Sequence, residues 1–162
     1  MANMAAWADR LAATPVSLAI QSHEWVIPTI QSIHILAIAA VMSSIAMLNL
    51  RLAGLIGHHQ SVRDMAHRFL PWLWRALPVL LITGCLMIVG EPARELLNPF
   101  FWYKMTMLLA VVLLTLPLQR MIEDRPFREH DAGKRQLIRL IALFSLMLWL
   151  AIVFCGRWIA YA

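Results

Sequence analysis

Four stretches of the chain stay apolar long enough to matter. They run from about residue 25 to 50, 69 to 90, 99 to 118 and 137 to 161, with polar and charged residues gathered between them. Each reaches or approaches the ~20 residues that a helix needs to cross ~30 Å of hydrocarbon. An open strand in lipid would leave its peptide groups unpaired, so the pattern predicts helices. The expected fold is therefore an all-α membrane protein, an antiparallel bundle of four transmembrane helices forming a single domain over residues 1–162. Residues 1–22 form a separate lead-in. The segment AAWADRLAAT is weakly amphipathic and is followed by Pro15. It reads as a short surface helix with Trp7 and Leu11 toward lipid. Pro28, Pro71 and Pro117 fall near block edges, whereas Pro78 lies inside the second block, where it should loosen the helix.

Composition strengthens this reading. Of the 162 residues, 61% are apolar and 14% charged, and mean hydropathy is +0.70. The net charge of +5 comes from basic residues between the apolar blocks. That placement suits lipid headgroups, and no nucleic-acid motif accompanies it. Loop charge predicts orientation. The first loop carries Arg51, Arg63 and Arg68, and the third carries Arg120, Arg125, Arg128, Lys134, Arg135 and Arg139. The second has one arginine and two glutamates. The positive-inside rule then places loops one and three in the cytoplasm and both termini in the periplasm of a bacterial inner membrane. The first residues lack the basic start and cleavage site of a signal peptide, so the first apolar block is expected to act as an uncleaved insertion signal.

Cys85 and Cys155 both sit in apolar blocks and form neither a disulfide framework nor a zinc pattern. No Ser–His–Asp order, nucleophile elbow or phosphate loop appears, and no carboxylate lies deep in a block. The chain is not expected to be an enzyme by itself. His58, His59 and Gln60 read as a solvated surface.

The candidate chemistry centres on His34. It lies ~14 Å below the terminal-side membrane surface, near mid-bilayer. His23 falls about 20° from it on the helical wheel and Gln31 about 60° away. In an antiparallel bundle, Lys104, Arg157 and Trp149 come to nearby depths. Ionisable groups inside a membrane usually face the bundle interior and mark a functional site. Four readings fit. His34 could be a hydrogen-bonded helix contact. It could ligate a haem b whose propionates meet Lys104 and Arg157. It could join Met107 and Cys85 around a soft metal such as copper. It could hydrogen-bond a quinone or lipid group walled by Trp102, Tyr103, Trp149 and Trp158. No second histidine lies within another block, so a haem would need His23, a methionine or a second protomer for its other axial position. The favoured expectation is a cytochrome b-like electron-transfer subunit. Its rivals are a quinone- or lipid-binding module and a cofactor-free structural subunit of a larger complex or homo-oligomer.

Several segments also carry a resemblance: IHILAIAAVMSSIAMLNLRLAGL, LPWLWRALPVLLITGCLMIVGE, LLNPFFWYKM and GRWIAYA. In order and spacing they resemble a family of small four-span bacterial membrane proteins catalogued as a domain of unknown function. The resemblance implies a four-helix bacterial inner-membrane protein and places His34, Asn98, Lys104, Gly156 and Arg157 in the family pattern. It implies no activity.

Overall fold

A computed structural model describes residues 2–56, 61–124 and 131–159. The expectations for His58, His59, Gln60, Arg125 and Arg128 lie outside those residues. The described residues form seven helices and no strand: α1 (Ala2–Ala12), α2 (Pro15–Gln21), α3 (Val26–Leu52), α4 (Val62–Gly90), α5 (Pro92–Leu96), α6 (Pro99–Asp124) and α7 (Ala132–Trp158). Helices α3, α4, α6 and α7 are long and apolar enough to cross a membrane. The protein is a four-span, all-helical bundle.

At 26 to 29 residues each, the long helices measure about 40 Å, against ~30 Å of hydrocarbon. They overrun the apolar blocks mainly at the loop end. Helix α4 starts seven residues before its block and α7 five residues before its own. The reason is physical. Backbone bonding continues into the headgroup layer, where charged side chains are solvated while the helix persists. Ser61 caps α4 by accepting from the Asp64 N–H at 3.0 Å. Helix α3 ends in a Schellman turn. Gly54 takes φ +78°, and the N–H of Leu55 donates to the carbonyl of Leu50 at 2.9 Å. Pro71, Pro78 and Pro117 all lie within helices that continue through them, so Pro71 and Pro117 are interior rather than terminal.

Helix α3 packs closely on α4, and α7 lies between α3 and α6; α6 touches α4 only lightly. Two apolar layers fill the interior. One, at the loop end, holds Leu48, Leu52, Val62, Leu70, Ile138 and Ala142. The other, at mid-bundle, holds Val41, Ile45, Leu73, Ala76, Val111 and Trp149. Ile35, Leu36, Leu81, Ile82, Leu109, Phe144 and Phe154 face outward and are exposed. Water would not tolerate so much apolar surface on a monomer, but acyl chains would.

The lead-in is two helices rather than one. Thr14 caps α2 and Pro15 occupies its first turn, which breaks the chain there. Trp7 is 68% exposed, as expected of a lipid-facing residue, and Leu11 is half-buried. The opposite face of α1 is not free. Ala8 is buried, α1 packs on α5, and α2 is fastened to α4 by a bond from Ser17 Oγ to the Val89 carbonyl at 2.6 Å. Gly90 permits this closeness, because a Cβ there would meet Ile20 Cγ2 of α2 at 3.0 Å and Ile27 Cδ1 of α3 at 2.6 Å. The terminal end of the bundle is thus roofed by α1, α2 and α5.

Candidate functional site

His34 lies eight residues after Val26 on α3 and is half-buried against α4. Its Nδ1 is 2.6 Å from the hydroxyl of Thr83, which is itself buried. The Thr83 hydroxyl also lies 2.6 Å from the carbonyl of Val79, one turn back on its own helix. A hydroxyl has one proton to give. Donation to the Val79 carbonyl leaves Thr83 only lone pairs for His34, so the imidazole donates through Nδ1–H. A neutral ring then carries its lone pair on Nε2. A ring nitrogen fixed by a hydrogen bond at the other nitrogen is the usual arrangement of a ligating histidine. Gly84 adjoins the ring; a Cβ there would stand 3.7 Å from His34 Cε1.

The charge of Lys104 reaches this ring. Lys104 projects from the first turns of α6, with its stem along α7 at Gly156, where a Cβ would stand 3.8 Å from Lys104 Cδ. Its ammonium lies 5.2 Å from the centre of the Phe101 ring, within cation–π range. It also lies 3.9 Å from a carboxylate oxygen of Glu95, whose side chain is only 6% exposed. That separation gives charge pairing without a direct hydrogen bond. Helix α5 makes the pair possible by folding Glu95 back under the roof. Asn98 then starts α6: its Oδ1 accepts from the Phe100 N–H at 2.9 Å, and its Nδ2 donates to the Ile159 carbonyl at 3.5 Å. This joins the beginning of α6 to the end of α7.

The other expected members separate. His23 is exposed in the turn before α3, where Nδ1 contacts Ser22 Oγ at 2.9 Å and the ring meets Trp25 edge-on. The wheel argument placed it on the His34 face, but α3 begins only at Val26, so His23 is not on that helix. Gln31 is half-buried, one turn before His34, and takes no part in the Thr83 bond. Arg157 is exposed at the end of α7. Trp149 is buried in the middle apolar layer with its indole N–H unpartnered. Met107 is half-buried on α6, about one turn beyond Lys104. Cys85 is exposed. Two positions from Thr83, it lies about 200° around α4 and so turns away from His34. Among the described residues, no three His, Cys, Asp or Glu side chains converge to hold a metal ion.

Two groups of the site escaped sequence reasoning. Thr83 looked like one more small residue in an apolar block. Glu95 looked like a loop carboxylate, although Pro92 at a helix start and a nine-residue step to Lys104 were available as signals.

A family model described as a family of unknown function (DUF6644) matches residues 21–162. The chain belongs to that family. The match takes in α3 through α7 and leaves out α1 and nearly all of α2. His34, Thr83, Glu95 and Lys104 therefore all lie within the DUF6644 region, whereas most of the roof does not. No curated protein and no solved structure matches the chain.

Proposed function

We propose that this DUF6644 protein is a cofactor-binding membrane subunit, with the Nε2 lone pair of His34 as its contact atom. One observation carries this reading: Thr83 spends its only proton on the Val79 carbonyl and so turns the imidazole into an oriented lone-pair donor. Haem b is the cofactor this donor fits first. His34 would hold the iron, Met107 is a candidate sulfur ligand, and bound haem would supply a one-electron couple. The chain's own part is to fix the ring, keep water out beneath the roof and set the local charge. The fit on the propionate side is weaker at Lys104, whose charge Glu95 already balances, and Arg157 at the end of α7 is a second basic residue toward the terminal end.

That same ion pair favours a second reading, a quinone. The Lys104 ammonium donates, and the Glu95 carboxylate and His34 Nε2 accept. Together they suit a ring that alternates between carbonyl and hydroxyl oxygens. By the positive-inside rule, the site lies toward the periplasmic side of a bacterial inner membrane, as do both termini.

A visible spectrum of detergent-purified protein from a haem-replete host tests the first reading. A Soret band near one haem per chain is the expected result. A colourless, folded protein that yields stoichiometric quinone on extraction would transfer the site to the second reading. A colourless protein with lipid alone would end both.

A further inference from the structure

A second polar locus lies in the loop-end half of the bundle, away from His34. Asn49 of α3 is 2% exposed, yet its Nδ2 has no hydrogen-bond partner. It lines a cavity of about 20 Å³, and Thr115 and Gln119 of α6 and Ser145 of α7 line the same space. The remaining walls include Leu48, Leu70 and Leu118. A buried amide N–H left unpaired is costly, so such a group normally finds a partner. One water needs only about 10–15 Å³ of such space and two to four polar partners.

The polar groups define what can sit there. Asn49 Nδ2 can only donate, so the occupant must accept, which excludes a bare cation. The Thr115 hydroxyl donates to the Val111 carbonyl at 2.7 Å and so presents only lone pairs. An occupant that can also donate meets those lone pairs, which a halide cannot do. We propose that the cavity is a binding site for one ordered water that accepts from Asn49 and donates to Thr115 and Ser145. Such a water ties α6 to α3 and α7 at a level where α6 makes few direct contacts with α3. It also satisfies an amide that lipid could not.

The test is solution NMR of detergent-solubilised full-length protein with ¹⁵N-labelled asparagine, the Asn49 side-chain amide being identified by its loss in Asn49→Leu. A cross-peak from the Asn49 amide protons to water is expected in the parent protein. It should vanish in Thr115→Val/Ser145→Ala, which keeps the Asn49 amide but removes the two hydroxyls to which the water donates. No cross-peak in the folded parent would overturn the proposal. So would a peak unchanged in the double variant, since the amide would then be meeting solvent from elsewhere. Retained helical circular dichroism and a single elution peak establish that each variant is folded.

Discussion

His34→Ala is expected to abolish cofactor retention while leaving the four-helix bundle folded. The two effects differ because they depend on different atoms. The fold loses one cross-helix hydrogen bond, from Nδ1 to Thr83. Such bonds average ~0.6 kcal/mol within membranes. Thr83 keeps its bond to Val79, so no buried hydroxyl is stranded. The ring is only half-buried, which limits the cavity left behind. Binding, in contrast, loses its oriented lone pair. Thr83→Val separates orientation from ligation, because it keeps the imidazole and removes the group that fixes its tautomer. Loss of such an outer partner typically weakens binding by about 10–100-fold. Soret absorbance per mole of protein, beside thermal unfolding in detergent, reads both effects. Full absorbance in His34→Ala, or its loss only together with the fold, would count against the assignment.

The second large effect is structural. Lys104→Met should destabilise the bundle by about 3–5 kcal/mol, the cost of leaving a buried charge without its partner. Glu95 is the stranded group, with its side chain 6% exposed. Lys104 retains 22% exposure, so some solvent screening already weakens the pair and moves the effect toward the lower figure. Adding Glu95→Gln removes the carboxylate charge and should restore most of the loss, because a paired charge in low dielectric contributes little net stability over a neutral replacement. Unfolding in mixed detergent, measured for the parent, both single variants and the double variant, completes the cycle. If Lys104→Met unfolds with the parent, or the double variant is no better than Lys104→Met, the ion pair does not hold the roof to the bundle.

The scaffold was legible because lipid imposes a simple rule. Any segment crossing it must be long, apolar and helical, and four blocks met that rule. Helix ends were less legible, because apolarity marks the hydrocarbon and not the helix. Val62 to Arg68 and Arg120 to Asp124 are helical in spite of their charge. At the site, His34 and Lys104 stood out as ionisable residues in apolar blocks, and the bundle brings them within electrostatic reach. Their partners did not stand out. Thr83 and Asn49 are small polar residues whose importance lies in what faces them across a helix interface, and spacing along one chain cannot show that. Glu95 depended on a five-residue helix turning back into the bundle. His23 and Cys85 were misplaced for opposite reasons. The wheel was extended past the true start of α3 for the first, and the facing direction of α4 was unknown for the second.

The claim beneath the functional reading is that His34 keeps its proton on Nδ1 and offers Nε2 to a ligand. Side-chain ¹⁵N NMR of histidine-labelled, cofactor-free protein tests it most directly, with His34→Ala identifying the resonances. The expected spectrum shows a protonated Nδ1 and an unprotonated Nε2 whose signal moves when haem or quinone is added. A protonated Nε2 beside a bare Nδ1, unmoved by either addition, would contradict the account.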